Sequence, residues 1–195
     1  MWIKGVVQVC IDILKDSPKS LLEAKKKRDI KKTVLVLVQT AVIFAAASGI
    51  LVVKAGLTDS IVISSVASVF ITILIAGLLS ALVIHVATST LGGKGKFFEG
   101  ITAVSYSFVP MSAGVLVAAI LTFVPYSSGI QLIVLAVGFS QGLATLYRGV
   151  KELYSTDMLT SFVALSVAIL AIILAVYASV GLALIGGLAT VAPVV

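Results

Sequence analysis

The chain has 195 residues, of which 60% are hydrophobic and 11% charged, with a net charge of +6, and its mean hydropathy is +1.23. Soluble domains are about a quarter charged and one of this size buries only about 70% of the surface its unfolded chain exposes, so a bilayer must cover the remaining apolar surface. These numbers exclude an aqueous globular domain and point to an all-α polytopic membrane bundle. Most of the positive charge lies in one short segment, which suits an anionic membrane surface better than nucleic acid.

The N-terminal stretch "MWIKGVVQVCIDILK" places Trp2, Val6, Val9, Cys10 and Ile13 at helical spacing, with Lys4, Asp12 and Lys15 elsewhere on the wheel. It reads either as a short amphipathic helix in the cytoplasmic interface or as a helix packed under the bundle. Asp12, Lys15 and Asp16 stand where a signal-peptide cleavage site should follow an apolar core, so no cleavable signal is expected. Cys10 is the single cysteine, which rules out an internal disulfide or a cysteine cluster and reads as a packing residue. The run "AKKKRDIKK", with Lys25, Lys26, Lys27, Arg28, Lys31 and Lys32, reads either as a contact with anionic headgroups or as a solvated stop signal. Residues 1–33 thus form a basic segment ahead of the spans.

A helix crosses the hydrocarbon core with about 20 apolar residues. Five candidate spans follow, Val34 to Val53, Ser60 to Thr88, Gly100 to Val124, Gly129 to Tyr147 and Leu159 to Leu188, with a short tail at 189–195. Splitting the last near Gly181 to Gly187 would leave pieces too short to cross. With five spans, Lys94 and Lys96 after span two and Arg148 and Lys151 after span four fall on the side of the N-terminal cations. That side collects all the lysines and arginines except Lys54. The positive-inside rule then puts the N-terminus in the cytoplasm and the C-terminus outside.

Between spans two and three, "LGGKGKFFEGITAVSYSFVP" begins like a phosphate-binding loop. A Walker loop follows a strand and ends in Lys-Ser/Thr, whose hydroxyl holds magnesium. Here the turn follows a membrane helix and ends in Phe97, and the dinucleotide spacing also fails. The simpler reading is a turn in which Gly92 and Gly93 end span two with a left-handed cap and Lys94 and Lys96 meet headgroup phosphates. Phe97 and Phe98 then anchor span three, and Ser105 to Pro110 bends it.

These same residues carry a resemblance. The turn, the long span before it and the following "YRGVKELYSTDMLTSFVALSVAIL" resemble the Yip1 domain family of five-span membrane proteins. The matching positions are Gly92, Gly93, Gly95, Phe97, Tyr106 and Pro110, within a similarity running from Ser20 to Ser179. The resemblance implies a multi-pass protein of the secretory or cytoplasmic membrane, and in eukaryotic members binding of Rab-type GTPases, vesicle traffic and membrane shaping. The long N-terminal domain and the Asp-Leu-Tyr-Gly-Pro segment of the best-known eukaryotic members have no counterpart here. The pattern looks more like that of a short prokaryotic or archaeal member.

Inside the spans His85, Gln39 and Gln141 are the large polar side chains. His85 reads as a hydrogen-bonding partner between helices or as a relay group, and the two glutamines as bonds across helices. Gln141 lies between Gly138 and Gly142, a GxxxG pair that permits close backbone approach. Small residues at Ala171, Ala175 and Ser179 suit a tight bundle or a homo-oligomer seam. Glu99, Glu152 and Asp157 have basic neighbours and read as solvated ion pairs at helix ends. No acid–base pair, nucleophile constellation, metal cluster or cofactor motif emerges. The expected function is therefore a non-enzymatic membrane-organising scaffold whose basic surface meets lipid and a protein partner. The alternative is a small channel or carrier with a polar path near His85, Pro110 and Gln141.

Overall fold

The computed structural model of the chain describes residues 11–15, 17–27, 29–167 and 169–170. After a helical turn at 11–15 come α1 (Ser17–Lys27), α2 (Ile30–Lys54), α3 (Asp59–Thr90), α4 (Phe97–Leu121) and α5 (Ser128–Tyr154), then α6 (Met158–Val167). No strand occurs among the described residues. Helices prevail for a physical reason: within hydrocarbon a backbone must satisfy its own polar groups.

Four helices, α2 to α5, are long and apolar enough to cross a membrane, and they match the first four expected spans to within a few residues, except that α5 runs to Tyr154, seven residues past the expected end at Tyr147. The fifth expected span, Leu159 to Leu188, begins with the helix α6, and its part beyond residue 170 lies outside the described residues. So do Trp2, Val6, Val9, Cys10, Arg28, Ala171, Ala175, Ser179 and the tail 189–195. Of the expected N-terminal apolar face, Ile13 is described and sits in the core, 3% exposed, which favours packing beneath the bundle at that position.

Each helix end has a local cause. Asp29 caps α2 by accepting the Lys32 N–H at 3.1 Å, satisfying an otherwise orphaned donor. At the far end of α3, Gly92 has φ +84, its N–H bonds Ser89 O at 3.3 Å and that of Gly93 bonds Thr88 O at 2.8 Å. This pair is the Schellman closure expected of a left-handed cap. α4 starts at Phe97, where the Glu99 carboxylate accepts the Lys96 N–H at 2.8 Å and closes the first turn. It continues as one helix through Pro110 to Leu121.

α4 is the hub. Of its apolar stretch 61% is buried, against 39% for α2 and 22% for α3 and α5, and it contacts α2, α3 and α5. Its tightest partner is α5, along a seam of small residues. A Cβ on Gly138 would lie 3.0 Å from both the Gly114 Cα and the Pro110 carbonyl, and one on Gly142 would meet the Met111 side chain and lie 2.8 Å from Ser107 O. One on Gly149 would lie 2.9 Å from the Ala103 Cβ. With no hydrophobic driving force between helices in lipid, such close van der Waals contact holds them together. The far sides of α4 meet α2 and α3: Phe108 makes an edge contact with Phe44, centroids 6.2 Å apart, and lies 3.4 Å from where a Cβ on Gly77 would be.

Buried hydroxyls follow the same logic. Thr40, Ser107 and Ser112 each bond a carbonyl three residues back, and Ser80 one four back, so these hydroxyls are satisfied within their own helices. Among buried side-chain polar atoms of the described residues, the Ser105 hydroxyl is left without a partner.

Two expectations are corrected. Gln141 is exposed on α5 and, among the described residues, does not face a neighbouring helix, because each residue turns a helix by about 100° and the side toward α4 is taken by Gly138, Gly142 and Gly149. Glu99 is 3% exposed rather than solvated, drawn in by its bond to the α4 N-terminus.

Candidate functional site: the lysine-rich end and its aromatic seat

The turn between α3 and α4 closes over Tyr154, which is fully buried. Gly95 lies on the Tyr154 ring, so that a Cβ there would fall 2.7 Å from the ring's Cγ, and one on Gly100 would fall 2.8 Å from the Tyr154 hydroxyl. The Lys94 N–H bonds the Tyr154 carbonyl at 3.1 Å. The glycines at 95 and 100 are therefore spaces shaped for one aromatic side chain, while Gly92 serves the helix cap.

His85 stands beside this seat. Its Nδ1 is 3.4 Å from the Tyr154 hydroxyl and 3.5 Å from Ser89 Oγ, and its ring lies 6.0 Å from Phe97 and 6.1 Å from Tyr154. It thus joins α3, α4 and α5. Gln39 is half-buried on α2 and has a polar partner.

The structure brings Gly92, Gly93, Gly95, Phe97 and His85 together and separates them from Tyr106 and Pro110. Tyr106 lies nine residues beyond Phe97 in the sequence, about 14 Å along the helix, and is 3% exposed. Pro110 faces α5 at Gly138. Tyr154 is the residue that sequence reasoning missed. An aromatic side chain at the end of a span ordinarily belongs to the interfacial belt, and only its heptad spacing from Tyr147 in "YRGVKELY" hinted that it could share an inward-facing stripe.

The basic side chains gather at this same end. Lys25 of α1 donates to the Glu152 carbonyl and to Ser155 Oγ at 2.9 Å, tying α1 to the end of α5. Lys26, Lys31, Lys94, Lys96, Arg148 and Lys151 are exposed, and Lys32 is half-buried. Lys27 ends α1. Lys54 sits at the opposite end of α2, its ammonium 5.3 Å from the Phe123 ring centroid, a cation–π contact.

Asp157 caps α6, accepting the Leu159 N–H at 3.2 Å and the Thr160 N–H at 3.4 Å. Hydrogen bonding from Thr160 holds its carboxyl below the ordinary range. Among the described residues no group of three or more His, Cys, Asp or Glu side chains is placed to hold a metal ion.

No curated protein and no solved structure matches the chain. The family model of the Yip1 domain matches residues 11–180. That match takes in the turn at 91–96, the central helix with Tyr106 and Pro110, and the whole lysine-rich end from α1 to α6. The chain is a multi-pass membrane protein belonging to the Yip1 domain family.

Proposed function

We propose that this protein is a non-enzymatic scaffold that organises the membrane around it, using the lysine-rich end of the bundle to hold anionic headgroups and to dock a protein partner. The observation that carries this reading is the segregation of charge: α1, the start of α2, the turn at 91–96 and the end of α5 present Lys26, Lys31, Lys94, Lys96, Arg148 and Lys151 at one end. The other end of the same helices carries Lys54. Each lysine or arginine near an anionic surface contributes about 1 kcal/mol, so several acting together give firm, salt-sensitive contact. We place this end in the cytoplasm by the positive-inside rule.

A transport role draws less support. A conduit needs a polar lining across the midplane, whereas the middle of this bundle is filled by α4 itself, whose Val104 and Val109 join Val36, Ala81 and Ile84 in one apolar core, with Ala41, Ala45, Ala118 and Ala119 buried as well. Gln141, one of the three residues of that path, faces outward.

The test is lipid retention by the purified protein in native mass spectrometry. Replacing Lys26, Lys31, Arg148 and Lys151 together by Gln should sharply reduce co-purifying anionic lipid without unfolding the bundle. Unchanged retention would overturn the basic surface, and solute flux in proteoliposomes that is lost with His85→Ala would overturn the scaffold. Crosslinking in the native host should recover a partner through the same end.

A further inference from the structure

The lysine-rich end also encloses a cavity of about 370 Å³. Its walls are the turn at 11–15, α1, the first residues of α2 and, from the central helix, Tyr106. Small-molecule sites begin at roughly this size, about 300 Å³.

The lining is balanced in charge. Among the described residues Lys15, Lys19 and Lys32 face the same space as Asp12, Glu23 and Asp29, so this lining carries no net charge, unlike the basic surface around it. A phosphate alone would meet three carboxylates at close quarters, and a lone cation three lysines; either would leave charges of its own sign unmatched. A ligand bearing both charges gives each set a partner through charge-assisted hydrogen bonds. Asp12, Lys19 and Glu23 already have partners, so such a ligand enters by exchanging existing interactions rather than by facing bare charge. The inner wall is made by Tyr106 and Thr33, 3% and 2% exposed, and this fixed floor limits how far a ligand reaches.

Position favours a lipid. Two of the three elements that bring charges to the cavity, the turn at 11–15 and α1, expose Ile11, Leu14 and Leu22, side chains suited to the boundary between headgroups and acyl chains. The inner wall at Tyr106 lies about 14 Å along α4 from Phe97. The floor therefore lies below the interface, while the charged rim formed by α1 and the start of α2 stands at the lysine-rich end, where a headgroup would meet it.

We propose that this cavity is a binding site for a zwitterion carrying a phosphate and an ammonium, as in the headgroup of phosphatidylethanolamine or in free phosphoethanolamine. The site is distinct from the basic surface, which prefers anionic lipid, and the two can fail independently.

The experiment titrates the intact detergent-purified protein with dihexanoyl-phosphatidylethanolamine, with dihexanoyl-phosphatidylglycerol of the same chain length, and with free phosphoethanolamine, followed by calorimetry and thermal unfolding. The ethanolamine lipid should bind about tenfold more tightly than the glycerol lipid, and Lys19→Gln and Glu23→Gln should each weaken it about tenfold. Binding of the lipid without the free compound assigns a membrane source; binding of both assigns a soluble one. Equal binding of the two lipids by the unmodified protein with no binding of free phosphoethanolamine would overturn the site whatever the variants do, as would full binding by both variants.

Discussion

Tyr154 shows how one side chain can organise a turn. Its ring fills the space left by Gly95, and its hydroxyl abuts Gly100, so a methyl group at either glycine displaces a fully buried aromatic residue. Gly95→Ala should lower stability by about 1–3 kcal/mol, the usual cost of overpacking, and Tyr154→Ala by about 3–5 kcal/mol through the cavity it leaves. Thermal unfolding in detergent checks both, and a midpoint unchanged in Gly95→Ala would contradict the seat. Asp157 yields a pH effect with a definite sign. Its carboxyl is held below the ordinary value by Thr160, so its contribution to α6 is present above the unfolded pKa and is lost as pH falls through the lower folded one. Protection factors at the Leu159 and Thr160 amides, corrected for the intrinsic pH dependence of exchange, should therefore fall under acid, and Asp157→Ala should remove that fall. At this scale the sequence revealed what the backbone alone requires: Gly92 was legible because a helix ending in a left-handed residue calls for glycine. Tyr154 was not, because nothing local distinguishes an interfacial tyrosine from a buried one.

Between helices, the seam of α4 and α5 depends on the absence of side chains. Gly142 sits against Met111 and the Ser107 carbonyl, so Gly142→Leu has nowhere to place its side chain without parting the two helices. Gln141, one residue away and exposed, should accept Leu with a change within about 0.5 kcal/mol. Fluorescence-detected size exclusion across a temperature series separates the two outcomes: an early loss of the folded peak for Gly142→Leu and none for Gln141→Leu. The GxxxG spacing was readable as a packing motif, and the structure supplies its partner, Gly114 and Pro110 of α4. The inward turn of Gly138 and Gly142 also explains why Gln141 points away. Spacing within one helix defines its faces, but which face turns inward depends on a neighbour that the helix's own sequence does not identify.

Across the whole molecule, connectivity carries the charge pattern into space. Lys94 lies on the turn that closes over the end of α5, while Lys54 lies at the far end of α2 beside Phe123. In a Cys10→Ser background, Lys94→Cys and Lys54→Cys should react with membrane-impermeant thiol reagents from opposite sides, with residue 94 on the cytoplasmic side. Labelling of both from one side would overturn the orientation. Length, hydropathy and the placement of fourteen cations were enough by themselves to determine a helical membrane bundle, its first four spans and its charge asymmetry, because the bilayer imposes these on any chain that enters it. The central place of α4, the burial of Tyr154 and the charge-balanced cavity beside α1 were decided by the tertiary structure. Each of these depends on contacts between residues far apart in the chain, set by the fit of side chains into one another rather than by any local preference.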